Sequence, residues 1–180
     1  MKGIVFTEFL EMVEDRFSPS IADRIIQLSD LRSGGAYTAV GTYDHHELLR
    51  LVTNLSRETG TPVPDLVRAF GQYLFGRFFV TYPQFFEGIE HAFDFLKNIE
   101  RYVHVEVRKL YPDAELPRFE CSSPAPGTLT MTYRSTRPFA DFAEGLIGGC
   151  IEHFREPIDV RREDLSDGGT SARFVLTHRP

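Results

Sequence analysis

One change of rhythm constrains this chain more than any other feature. From Lys2 to Leu110 the apolar residues recur at helical intervals, and beyond Tyr111-Pro112-Asp113 most of them alternate with period two. A helix-rich first part followed by a strand-rich last third points to an α+β fold. Val5, Phe6, Phe9, Leu10, Met12, Val13 and Phe17 form a stripe that gives a helix over Lys2–Phe17. Ser18-Pro19-Ser20 interrupts it and caps a second helix from Ile21 to Leu28, after which residues 30–43, with Ser33-Gly34-Gly35, read as loop. Asp44 and Glu47 make a D-x-x-E start signal for a helix ending near Gly60, and Thr61-Pro62 opens another through Leu66, Val67, Phe70, Leu74 and Phe78. After Pro83 a helical stretch is expected from Phe85 to Leu110, bent near Lys97-Asn98. Strands follow at 117–122 and 128–135, then a helix from Pro138 to Phe154. Two more strands, Ile158–Arg162 and Ala172–His178, flank the Asp167-Gly168-Gly169 turn. No repeat or linker divides the chain, so residues 1–180 are expected to form one α+β domain.

Charge and cysteine usage exclude several classes of function. Twenty Lys+Arg against 26 Asp+Glu leave a net charge of −6, which argues against a nucleic-acid binder. Cys121 and Cys150 make neither a disulfide framework nor a four-ligand zinc site. No apolar run approaches the ~18 residues of a membrane helix, and the start, Met1 to Glu8, meets an acidic residue too soon for a signal peptide. A soluble, cytoplasmic protein is expected, with no nucleic-acid or membrane partner. Sixteen Phe and seven Tyr without a single Trp are a surplus. Val5, Phe9, Phe70, Leu74, Phe78, Phe142 and Leu146 either build a core or line a large apolar pocket.

Six histidines are present. His45 and His46 are adjacent, so a helix would point them about 100° apart, a poor arrangement for sharing a metal. His91, His153 and His178 stand singly, and H-E-x-x-H, C-x-x-C, a Gly-rich phosphate loop and G-x-S-x-G are all missing from the sequence. His104 differs: it flanks a stripe of Leu96, Ile99, Val103, Val107 and Leu110, close to Phe93 and Tyr111. Such a histidine either bonds a backbone carbonyl, the commoner case, or offers one nitrogen to a metal. In Tyr133-Arg134-Ser135-Thr136-Arg137 the first, third and fifth residues would share one strand face. Two hydroxyls and a guanidinium there can hold a carboxylate, or simply form the polar outside of a sheet.

These features recur together in one family. His104, then Leu110-Tyr111-Pro112, Leu116-Pro117-Arg118-Phe119 and Y-x-S-x-R, downstream of Met1-Lys2-Gly3-Ile4, closely resemble the H-NOX family of haem nitric oxide/oxygen-binding domains over essentially the whole chain. The resemblance implies a helical part and a four-stranded antiparallel sheet with an inserted helix, and one haem b per chain held between them. His104 would be the axial ligand of the iron, and Tyr133, Ser135 and Arg137 would hold the propionates. Pro117 would press on the porphyrin and bend it. Val5, Phe9, Leu74, Phe78, Phe142 and Leu146 would line the pocket. Members that hold oxygen stably carry a tyrosine where Phe142 stands, and a phenyl ring donates no hydrogen bond. The resemblance therefore implies a sensor of NO, also binding CO, that excludes stable oxygen binding. The cysteines of the zinc site found in some bacterial relatives are missing, so no zinc is expected.

Binding of NO would weaken the bond to His104, free its helix, and let the porphyrin relax against Pro117, tilting the N-terminal helices relative to the sheet-bearing part. With 180 residues accounted for, the signal would pass to another protein, a histidine kinase or else a diguanylate cyclase or phosphodiesterase. The main alternative is a haem-independent module for an apolar small molecule, with His104 structural. A haem peroxidase or oxygenase would need a distal acid–base group that Phe142 and Leu146 do not offer. Redox sensing at Cys121 or Cys150 lacks an electropositive setting and a resolving partner.

Overall fold

Caps decide where the helices of the N-terminal part begin. The structure, a computed structural model, describes residues 1–179 and separates into two units, Met1–Phe70 and the residues from Gly71 onward. The first unit holds α1 (Gly3–Arg16), α2 (Pro19–Leu28), α3 (His45–Thr59) and the first part of α4 (Val63–Thr81). Ser18 Oγ accepts the Ile21 N–H at 3.2 Å and Pro19 takes the first helical position, so α2 starts two residues before Ile21. Asp44 caps α3 by accepting the His46 N–H at 3.0 Å, and Gly60, at φ 74°, ends it. Glu47 does not close the expected capping box. It is buried and accepts from Ser33 Oγ at 2.5 Å and from the Tyr37 hydroxyl at 2.7 Å, which ties down the 30–43 loop. Tyr37 stacks on Phe6 with ring centroids 4.5 Å apart, and Phe9 meets Phe70 edge-on at 5.2 Å.

Glu47 makes the first unit sensitive to acid. Burial pushes its carboxyl up, but the hydrogen bonds from Ser33 and Tyr37 outweigh that and hold it below the usual carboxylate range. Its contribution is therefore complete above the unfolded value, about 4.3, and is lost as the pH falls through the lower folded value. Glu47→Gln is expected to cost about 1.5–3 kcal/mol at neutral pH and to flatten the loss of stability below pH ~4.3. Urea unfolding at a series of pH values measures both effects.

In the second unit the expected continuous helix from Phe85 to Leu110 is broken into pieces. Pro83–Phe85 is a 3-10 turn, Gly88 takes a left-handed φ of 73° that no helix contains, and α5 (Ala92–Lys97) begins only after this. Phe85 and Phe86 satisfy the apolar pattern from a turn, Phe86 lying flat on Phe95 at 4.7 Å. Asn98 bends the chain where expected (φ −95°, ψ 1°), and a π-helical turn, Ile99–Val103, leads into α6 (His104–Leu110).

The strands are β1 (Arg118–Ser122), β2 (Thr128–Arg134), β3 (Ile158–Asp164) and β4 (Ser171–His178). They form one antiparallel sheet in the order β1-β2-β4-β3, with α7 (Ala140–Phe154) between β2 and β3 in sequence, as expected. Leu129, Met131 and Tyr133 pair with Leu176, Phe174 and Ala172, and all six are buried on one face. Ala143, Ile147 and Cys150 of α7 share that core. A Cβ on Gly71 would stand 2.8 Å from the Gly145 Cα, and one on Gly149 2.8 Å from the Phe75 Cβ. Small residues thus set how closely the last part of α4 approaches α7. Arg162 of β3 bonds Asp141 at 2.7 Å and Glu144 at 3.1 Å, anchoring the start of α7 to the sheet. Among the described residues no helix is long and apolar enough to cross a membrane.

Candidate functional site

His104 opens α6 directly after the π-helical turn and is only 8% exposed. Its Nδ1 lies 3.0 Å from Glu100 Oε1, one turn earlier, and the same oxygen accepts the Phe119 backbone N–H at 2.8 Å. A carboxylate oxygen only accepts, so the hydrogen-bond pattern assigns the ring proton to Nδ1 and leaves the lone pair on Nε2. Among the described residues this is the ring's one hydrogen bond. Burial pushes the imidazole's pKa down against the opposing pull of Glu100, which favours the neutral form that ligates metals.

Phe119 connects this histidine to the Y-x-S-x-R residues. Its ring lies 6.1 Å from His104 and 5.6 Å from Tyr133, its pairing partner across β1 and β2. Tyr133 is buried, and that burial pushes its phenol up, so it stays a donor. The strand ends one residue before the expected 135, so Tyr133, Ser135 and Arg137 do not share one strand face as expected. β2 ends at Arg134, the Ser135 N–H still reaches the Thr170 carbonyl at 2.8 Å, and Pro138 has no N–H to continue the ladder. Arg137 returns through a turn instead: its N–H donates to Ser135 Oγ at 3.1 Å, and the Tyr133 hydroxyl faces its carbonyl at 3.5 Å. The Arg137 guanidinium grips the carboxylate of Glu115 and, at 3.4 Å, its carbonyl. Pro117 lies between Glu115 and the first residue of β1, so this segment, His104 and the Y-x-S-x-R turn belong to one neighbourhood.

The apolar residues divide between the units. In the first unit Val5 is half-buried on α1 and Phe9 is fully enclosed in that unit's core. In the second, Leu74 is buried and Phe78 half-buried on α4, while Phe142 and Leu146 are half-buried on successive turns of α7. Glu100 was not singled out in the sequence. The available signal was its spacing four residues before His104, which ordinary exposed helical pairs share.

Two other expectations for the histidines need correction. His45 and His46 do not diverge: their rings lie 4.1 Å apart, and both Nδ1 atoms face Asp44 Oδ1, at 3.5 and 2.8 Å, because the capping carboxylate draws both. Nor are His91 and His178 solitary. They converge on Glu156, His91 Nδ1 at 2.9 Å from Oε1 and His178 Nε2 at 3.5 Å from Oε2. Burial raises the pKa of both cysteines, at Cys121 with help from Glu100 and at Cys150 from Glu156, which keeps the thiols protonated.

The α+β fold thus carries one buried imidazole anchored through Nδ1 to Glu100. The sequence profile of the Haem-NO-binding family matches residues 2–162, and the chain belongs to that family, whose members are haem-based gas-sensor domains and not catalytic ones. The Fe(II) unliganded H-NOX protein of K. algicida is 39% identical, and its crystal structure superposes with a TM-score of 0.93 over 100% of this chain and 97% of that one. The H-NOX protein of Shewanella woodyi, solved bound to IWP-051 in the Fe(II)CO state, is 42% identical, with a TM-score of 0.85 over 100% and 95%. The soluble guanylate cyclase gcy-33 of Caenorhabditis elegans is 26% identical over 159 residues, covering 84% of this chain. The chain spans 16% of that cyclase's length.

Proposed function

We propose that residues 1–180 form one cytoplasmic sensor domain that binds one haem b through His104, detects NO, and excludes stable oxygen binding. The observation that carries this reading is the His104 ring itself, buried and tied through Nδ1 to Glu100, so that its Nε2 carries the lone pair. The donor set also fits the cofactor's acid groups. Arg137, with the Tyr133 and Ser135 hydroxyls beside it, already holds the carboxylate of Glu115, an exposed residue that a propionate can displace. Half-buried Phe78, Phe142 and Leu146 supply apolar surface of the kind that a porphyrin face covers.

When bound, the haem would supply a ferrous iron able to take a gas molecule. The chain's own residues do the rest. His104 would hold the iron through Nε2, Tyr133, Ser135 and Arg137 would hold the acid groups, and Pro117 would bear on the ring. Phe142 offers no proton to a bound gas, so a ligand that needs a hydrogen bond is held poorly, while NO and CO are held without one. Among the known relatives are a CO-bound bacterial H-NOX protein and guanylate cyclases, which supports both the choice of gases and a signalling role. The recipient is a separate signalling protein, a histidine kinase first and a cyclic-di-GMP enzyme second.

An anaerobic absorption spectrum of dithionite-reduced protein, with NO or air added separately, tests the reading. A single ferrous Soret band that shifts with NO, while air yields no second stable ferrous spectrum, is the expected result. If no Soret band appears even after haem reconstitution, the chain is instead a module for another apolar ligand.

A further inference from the structure

Glu100 performs two tasks with one oxygen. Its Oε1 accepts from His104 Nδ1 at 3.0 Å and from the backbone N–H of Phe119 at 2.8 Å. Glu100 sits in the π-helical turn that delivers His104 into α6, and Phe119 lies in β1, two residues after Pro117. One carboxylate thus joins three parts of the second unit: the turn, the ligand's ring and the edge strand.

We propose that Glu100 is a positioning residue that sets the strength of the bond between His104 and the haem iron and couples movement of the His104 ring to β1. This rests on the reading of His104 as the iron ligand. A carboxylate receiving the Nδ1 proton draws that proton away from the ring and makes Nε2 a stronger donor to a metal. The π-helical turn adds a residue to the local backbone register, a local departure of the kind that redirects a side chain at a working site. The second hydrogen bond gives the carboxylate a backbone anchor, so the position of the ring and that of the Phe119 amide are linked. If His104 leaves the iron, the ring stays tethered through Nδ1, and its displacement pulls on the Phe119 amide and hence on the strand following Pro117. No other hydrogen bond of the ring competes for this role among the described residues.

The test compares wild type, Glu100→Gln and Glu100→Ala as reduced holoprotein. Resonance Raman spectroscopy reads the iron–histidine stretching band, and amide hydrogen exchange reads Phe119. Glu100→Gln keeps a neutral acceptor, so it is expected to retain a protected Phe119 amide while the band moves to lower frequency. Glu100→Ala is expected to lower the band further, to speed Phe119 exchange, and to raise the rate of haem loss by roughly 10-fold or more. A wild-type band and wild-type Phe119 exchange in both variants, with haem bound, overturn the proposal. Failure of the underlying reading looks different: wild type itself would show no iron–histidine band.

Discussion

His104→Gly protein, produced with haem supply, is expected to contain less than about a tenth of the wild-type haem, because losses next to a metal ligand alone cost about 10- to 100-fold in affinity. The substitution removes a buried ring and leaves Glu100 bonded to the Phe119 amide only. The resulting space is the shape of an imidazole, with a carboxylate acceptor at one end. Free imidazole added in millimolar amounts should therefore enter it, donate to Glu100 and restore a ferrous Soret band. Circular dichroism separates this from unfolding, since the sheet core of Leu129, Met131, Phe174 and Leu176 does not include position 104. A His104→Gly protein that binds haem with the wild-type spectrum and no added imidazole would show that another residue is the ligand.

Phe142→Tyr is the second large expected effect. Position 142 lies in the first turn of α7, half-buried, with its ring edge-on to Phe139 at 6.4 Å, so a para hydroxyl adds a donor with little change in packing. Bound oxygen carries partial negative charge, and a hydrogen bond to a charged acceptor contributes about 1.5–3 kcal/mol. Oxygen release from the variant is expected to be about 10- to 150-fold slower than from wild type, producing a complex stable in air where wild type is expected to form none. Binding of CO should change by no more than about threefold, since that ligand accumulates little charge. Stopped-flow mixing of reduced protein with oxygen and, separately, CO measures both. Equal slowing for the two gases would mean that the tyrosine acts by bulk, and the reading of Phe142 as the discriminating residue would fall.

The sheet was legible from the sequence almost residue for residue. Alternation is a strict signal, and turn residues such as Asp167-Gly168-Gly169 mark the strand ends, so β1 and β2 fall within one residue of expectation. Helical periodicity was less discriminating. Phe85 and Phe86 fit a helical stripe yet reach the core from a turn, because the pattern records which residues are buried and not which backbone buries them. The same limit affected Glu47. D-x-x-E spacing marks a helix start correctly, but a buried acceptor goes where unsatisfied donors are, and here these were Ser33 and Tyr37. Glu100 stayed hidden for a different reason. Its partner in β1 is 19 residues away, and no local pattern encodes that meeting.

The outermost strands of the sheet carry one more implication, for how this protein behaves in a crowded solution. β3 bears charge at five of its seven positions, Asp159, Arg161, Arg162, Glu163 and Asp164, and β1 is only five residues long with Arg118 and Glu120 on it. An exposed strand edge is a template on which a stray chain can register, and short or heavily charged edges are poor templates. The charges along β3, and the Phe119 amide of β1 already bonded to Glu100, therefore blunt both edges against an added strand, and a partner that grips this sheet edge has to meet its charged side chains first.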